Sequence, residues 1–223
     1  DGLLSGVPSA SGLATVSIRV VDAVGLASTN LFSLAVANFR RLPLSEGFES
    51  GTALPPGWTE SIETTGSTLR WLVGAGSSSG TPSSAHSGAN NLYLRSLSTS
   101  QQRVRLITTA LDMGTNMTDA ALSFWLCMAP GTAQDEVRVS IKTNAADTVW
   151  TQILSIKTAV PAWSNVVVSL PLPSPSYVIA FDGVAKGGKG VCLDDILVTG
   201  TYPSAGGYAG WQLSAFDPEI TDE

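Results

Sequence analysis

The strongest constraint on this chain is the spacing of its apolar residues, which come in short runs of period two rather than in helical stripes. Val16, Ile18 and Val20 alternate with Ser17 and Arg19, as a half-buried strand does. Phe32, Leu34 and Val36 repeat the pattern after the turn-forming Asp22-Ala23-Val24-Gly25. Ten further runs follow, at 46–49, 69–73, 91–95, 103–107, 120–128, 136–143, 149–156, 163–170, 176–182 and 190–198, separated by clusters of Gly, Pro, Ser, Asn and Asp. Each such run offers one apolar face and needs a second layer to bury it. Many short strands without an amphipathic helix predict an all-β fold, a sandwich or jelly roll. Gly74 to Ser84 is too polar and glycine-rich for regular structure and reads as a surface loop.

Composition excludes several other classes. At 223 residues the chain is long enough to bury about 70% of its unfolded surface, so a core needs neither metal nor disulfide. Charged residues make up only 13% of it, against a coiled coil or a disordered chain. With 12 basic and 18 acidic residues the net charge is −6, which disfavours a nucleic-acid interface. No apolar run approaches the length that would insert into a membrane as a helix. The sequence opens at Asp1 without a basic-then-apolar leader, so it reads as a processed product or an excised piece whose export signal would lie upstream.

The first forty residues supply only a hairpin, which is marginal alone. Gly2-Leu3-Leu4-Ser5-Gly6-Val7-Pro8, Val20-Val21-Asp22-Ala23 and Phe32-Ser33-Leu34-Ala35-Val36 resemble the second half of bacterial Ig-like, cadherin-like repeats. The competing reading is a hairpin arm of the domain that follows. In either case residues 1–39 are expected to dock on their own or a neighbouring domain, since an open strand edge invites pairing. Asn38 to Leu44, with Arg40-Arg41 and Pro43, reads as a linker centred on 40–43. At the other end, residues 202–223 read as a tail in which one helical turn would place Trp211 and Phe216 on a common face.

Residues 44–201 carry a closer likeness. Glu46-Gly47-Phe48-Glu49 before Leu54-Pro55-Pro56-Gly57-Trp58, then Ala85-His86-Ser87-Gly88-Ala89-Asn90, Leu106-Ile107-Thr108-Thr109-Ala110-Leu111-Asp112, Leu122-Ser123-Phe124-Trp125-Leu126 and Leu193-Asp194-Asp195-Ile196 stand in that order. They resemble the MAM-like jelly rolls, and more closely the cleaved-adhesin and choice-of-anchor J relatives of bacterial surfaces. The resemblance implies a jelly-roll β-sandwich preceded by a short Ig-like β-hairpin remnant. It also implies a structural calcium bridging Glu49 and Asp194, with Asn90 as a third ligand. The residues argue the same way on their own terms: successive strand positions face opposite sides, so one of Asp194 and Asp195 should point inward and the other away. A buried carboxylate must be paired, hydrogen-bonded or cation-bound, and Ca²⁺ is satisfied by oxygen ligands alone. The alternative is that these carboxylates accept backbone N–H groups.

No catalytic constellation stands out. His86 is the only histidine, no Gly-x-Ser-x-Gly, His-Glu-x-x-His or phosphate-loop motif occurs, and the expectation is that the chain is not an enzyme. Of the six Trp, positions 71, 150 and 163 flank loops and are the candidates for stacking on a sugar, although sandwiches bury most of their Trp. Cys127 and Cys192 fall on the central and last strands, as bridged neighbours or as two separate buried thiols. Asn116-Met117-Thr118 fits a glycosylation triplet, which chance explains in a bacterial protein. The expected function is a non-catalytic extracellular module for adhesion or spacing in a larger secreted or surface-anchored bacterial protein, its partner a cell-surface protein or glycan. A carbohydrate-binding module of a secreted glycan-degrading enzyme is the second reading.

Overall fold

The structure, a computed structural model, describes residues 12–36, 40–95 and 101–202. Among them there is no helix. The Gly2–Pro8 motif and the Trp211–Phe216 turn lie outside the described residues. Chain contacts divide at Arg40 and Arg41 into two units. The first is a hairpin of β1 (Gly12–Val21) and β2 (Ala27–Val36), in register from Gly12 opposite Val36 to Val21 opposite Ala27. Asp22 makes its turn, since Oδ1 accepts the N–H groups of Val24 (3.0 Å) and Leu26 (2.7 Å) while Gly25 takes φ +88°. Within the hairpin taken alone, Val16 is half-buried while Ile18 is 49% and Val20 62% exposed. Taken by itself, a two-stranded ribbon has no second layer of its own to cover either face.

The division falls within β3 (Arg40–Arg41), two residues of strand inside the expected linker, and the second unit goes on to β4 (Leu44–Glu46). It continues with β5 (Thr59–Ile62), β6 (Trp71–Gly74), β7 (Asn91–Leu94), β8 (Gln102–Ile107), β9 (Leu111–Asp112) and β10 (Thr118–Met128). The last five are β11 (Glu136–Lys142), β12 (Thr151–Ile156), β13 (Val160–Ser169), β14 (Val178–Ala185) and β15 (Val191–Thr201). One antiparallel sheet runs β13-β10-β15-β7-β6, with β4 also on β15, and the other runs β12-β11-β14-β8-β5. Residues Glu49 and Phe48 lie past the end of β4 rather than in the strand expected at 46–49.

Period-two alternation accounts for the core. Leu122, Phe124, Leu126 and Met128 of β10 and Val137, Val139 and Ile141 of β11 point into one apolar cluster. Phe124 and Phe181 meet edge to face at 5.5 Å across the two sheets. Some outward positions of the second sheet are buried as well, and β14 is buried at every position. Glu136 there is 1% exposed, and it accepts hydrogen bonds from Arg138, Lys186 and Ser155. Burial alone would push its carboxyl up, but these bonds and the Arg138 charge together hold it at about 2, against an ordinary 4.5. The unfolded chain therefore binds the proton more tightly, so the contribution of Glu136, about 3 kcal/mol, is complete above the ordinary value and lost as pH falls towards the lowered one. Urea midpoints of Glu136→Gln should accordingly converge with those of the parent as pH drops from 5 to about 2.5. A constant gap between the two would show that Glu136 does not titrate this way.

Candidate functional site

Strand β15 carries one residue too many against β10. Ser123 faces Leu197 and Trp125 faces Asp194, so Asp195 and Ile196 together oppose Phe124. This is a β-bulge, and Asp195 sits in it at φ +45°, a region where aspartate is among the few tolerated side chains. The bulge reverses the phase of the strand. Val191 and Leu193 face the core before it, Ile196 and Val198 after it. The expected divergence of Asp194 and Asp195 is thereby overturned, because alternation holds only in an unbroken ladder. Both carboxylates reach the same dipeptide. Asp194 Oδ2 accepts the backbone N–H of His86 (2.8 Å) and of Ser87 (3.2 Å), and its Oδ1 accepts the Asp195 N–H (2.8 Å). Asp195 Oδ1 accepts the Ser87 hydroxyl (2.6 Å), and its Oδ2 pairs with His86 Nδ1 (2.6 Å).

A third carboxylate completes the grip. The chain turns after β4 with Phe48 at φ +60°, its N–H donating to Glu46 Oε1 at 2.7 Å. That turn aims Glu49 at the same loop, where it accepts the Ala89 N–H on both oxygens at 3.0 Å and the Asn90 N–H at 2.9 Å. Gly88 lies between, at φ +60°, where a Cβ would come within 2.5 Å of the Glu49 carboxylate. The three acids thus hold residues 86–90 down onto the sheet through charge-assisted bonds.

The donor chemistry of Glu49 and Asp194, oxygen only, suits a hard cation. Here, however, those oxygens are engaged by N–H groups, and Asn90 contributes its backbone rather than its side chain. Among the described residues no three acidic, His or Cys side chains gather where one ion would reach them. The buried amide is Asn91, for which the sequence carries no signal: its Nδ2 donates to the carbonyls of Gly76 (2.9 Å) and Leu92 (3.1 Å). Burial first, and the charge of Asp195 with it, raises the Asp194 carboxyl above its ordinary value, against the lowering effect of the three N–H bonds.

The aromatic candidates separate into three environments. Trp71 is 2% exposed in the core cluster, so the expectation that it meets a ligand is corrected: it faces the sandwich interior from β6. Trp163 is half-buried, donates Nε1–H to the Ser84 carbonyl at 3.2 Å, and meets His86 edge-on at 6.0 Å. Trp125, unmarked as a candidate by the sequence, stacks on His86 at 3.7 Å. Trp150 lies on the other sheet, its ring centre 4.7 Å from the Arg105 guanidinium and 4.8 Å from Lys142 Nζ. The Ser87 hydroxyl is given to Asp195 and not to His86, so this cluster of Ser, His and Asp does not form a nucleophile–base relay.

Cys127 and Cys192 stand directly opposite each other across β10 and β15, as neighbours on one face. Both are buried and both are free thiols, so the bridge is not present in this structure. Burial raises both thiols, and for Cys192 the nearby Cys127 and Asp194 add to it, which keeps them protonated and unreactive.

The clamp makes a stability prediction. Gly88→Ala puts a Cβ on Glu49 as well as straining the backbone, whereas Gly66→Ala, at φ +75° with open space, strains the backbone only. Gly66→Ala should cost about 1 kcal/mol and Gly88→Ala at least about 2 kcal/mol, read from denaturant midpoints. Equal losses would mean that the Glu49 contact carries no weight.

No curated relative matches the sequence. By structure, the K1 cleaved adhesin domain of Lys-gingipain from Porphyromonas gingivalis W83 is similar at a TM-score of 0.55 and 20% identity, over 72% of this chain and 99% of that one. The K3 domain of the same protein gives 0.54 and 20%, over 70% and 98%. The CBM22-1 xylan-binding domain from Paenibacillus barcinonensis Xyn10C gives 0.50 and 14%, over 75% and 100%. At these identities the likeness establishes a shared jelly-roll sandwich. The model of the MAM domain, meprin/A5/mu, matches residues 47–202, the stretch that carries the bulge, the clamp and both sheets, and the chain therefore belongs to the MAM domain family.

Proposed function

We propose that this chain is a non-catalytic extracellular module of a larger secreted or surface-anchored bacterial protein, serving adhesion or the spacing of neighbouring domains. The observation that carries the reading is how the polar side chains near residues 86–90 are used. Glu49, Asp194, Asp195, Ser87 and His86 are bonded to one another or to the loop backbone, which leaves a rigid rim where His86, Trp125 and Trp163 are partly exposed. A preordered, half-exposed aromatic rim suits recognition, because little side-chain freedom is lost when a partner settles on it. Membership of the MAM family, and fold neighbours named as cleaved adhesins and as a xylan-binding domain, support the same reading. No helix among the described residues is long and apolar enough to cross a membrane.

The second reading, a carbohydrate-binding module of a secreted glycan-degrading enzyme, is favoured by Trp150, whose half-buried indole lies among hydrogen-bonding side chains. A screen of immobilised glycans and surface proteins tests both. Protein binding lost in Trp163→Ala, with melting unchanged, is the result expected of an adhesin. Glycan binding lost in Trp150→Ala or Trp163→Ala selects the second reading, and no binding to any surface removes a recognition role.

A structural calcium at Glu49 and Asp194, with Asn90 beside them, is part of this proposal and rests on the family resemblance. Bound to the folded state only, at a hundred times its dissociation constant it would add about 2.7 kcal/mol. Melting should then drop by several degrees in chelator, recover with Ca²⁺, and lose this response in Asp194→Asn. Since Asp195 holds the same loop, Asp195→Asn should also lower stability, with or without the ion. Superimposable melts of metal-free and Ca²⁺-loaded protein would remove calcium from the reading.

A further inference from the structure

The outer face of the second sheet carries a polar cluster that the clamp does not use. Ser61 of β5 stands opposite Arg105 of β8, Arg105 opposite Asp182 of β14, Asp182 opposite Arg138 of β11, and Arg138 opposite Ser155 of β12. One polar row therefore crosses all five strands. At its centre Arg105 grips Asp182 in a bidentate pair at 2.8 and 3.0 Å, with 8% and 1% exposure. A buried ion pair is generally no more stabilising than apolar side chains of the same volume, so stability does not account for one on the face away from the core.

Trp150 adds a platform. Arg105 is on β8 and Lys142 on β11, with β14 between, and both cations lie within 5 Å of the same indole centre, so the ring spans the β14 strip. Lys142 Nζ donates to the carbonyls of Ala145 and Asp147, which anchors the β11–β12 turn from which Trp150 enters. This face gathers basic side chains in an acidic chain. Arg103, Arg105, Arg138, Lys142 and Lys186 gather here with Glu63, Glu136 and Asp182, so basic side chains outnumber the acids that pair with them, in a chain of net charge −6. Arg103 and Arg138 each use one Nη on an acid, and among the described residues the other Nη of each has no hydrogen-bond partner.

We infer that this face binds a carboxylate-bearing oligosaccharide, a uronic-acid chain, with Trp150 under the C–H face of a sugar ring and two arginines receiving the carboxylates: Arg138, next to Asp182 across the sheet, and Arg103, two residues along β8 from Arg105. The part-exposed ends of the row, Ser61 on one side and Arg138 and Ser155 on the other, meet the hydroxyls, while the buried Arg105–Asp182 pair holds the platform, and the planar guanidinium matches a carboxylate in two-point contact. This rests on the carbohydrate-binding form of the proposed function, and it names the surface and the ligand class.

Titration calorimetry of the full chain with short oligogalacturonates, and with neutral cello-oligosaccharides of equal length, tests it. Binding should favour the acidic chain, weaken as salt rises, fall at least about tenfold in Trp150→Ala and be partly restored in Trp150→Phe. Arg103→Gln, at a side chain only held by Glu63, should weaken the acidic ligand without unfolding the protein. No binding of the oligogalacturonate by the parent chain, or a preference for the neutral ligand, overturns the ligand class. Binding that survives Trp150→Ala and Arg103→Gln but is lost in Trp163→Ala overturns this face while leaving the module a glycan binder.

Discussion

The second unit depends on one inserted residue. Without the bulge at Asp195, β15 would keep its alternation and send one of its two adjacent carboxylates into an apolar core, where an unpaired charge is costly. With it, the strand returns Ile196 and Val198 to the core and presents both acids to the loop at 86–90. Glu49 closes on the same loop from the turn after β4, and β4 itself pairs with β15 just past the bulge. The start of the domain, its middle loop and its last strand are thus tied at one place by carboxylate–N–H bonds.

That arrangement explains why the same residues read as a metal site or as a hydrogen-bonded clamp. A carboxylate removed from water needs positive partners, and a row of backbone N–H groups supplies them as a cation would. The loop in turn gains a fixed conformation, which places His86 flat on Trp125 and against the edge of Trp163. The two sheets therefore differ in their outer faces. The six-stranded one is roofed by a loop whose polar groups are satisfied locally. The five-stranded one is covered by its own long side chains, paired in rows across the strands.

Nine of the ten strands expected in the second unit from the apolar alternation are present with small shifts of their ends, because period two requires only local spacing. The run at 46–49 ends early for a local reason the pattern does not express: Glu46 captures the Phe48 N–H and turns the chain. The short strands Thr59–Ile62 and Leu111–Asp112 leave no mark in the pattern, since four or two residues carry too little alternation. Of the site, the Asp194-Asp195 pair, Trp150 and Trp163 stand out by residue type, and Glu49 and Asn90 through the family resemblance, whereas Ser87, Gly88 and Trp125 have no signal beyond lying in recognisable motifs.

The order of strands, the alternation of faces and the place of this chain among the MAM domains were determined by the sequence alone, since each depends on residues near one another or on motifs in order. Which acids converge, which indole is buried and which thiols face each other were decided only in the tertiary structure. Trp71 and Trp150 are alike in sequence context, yet one packs into the sandwich and the other lies over Arg105 and Lys142. The physical reason is that register and bulges are set between strands distant in sequence, and a shift of one residue exchanges the faces of every position beyond it.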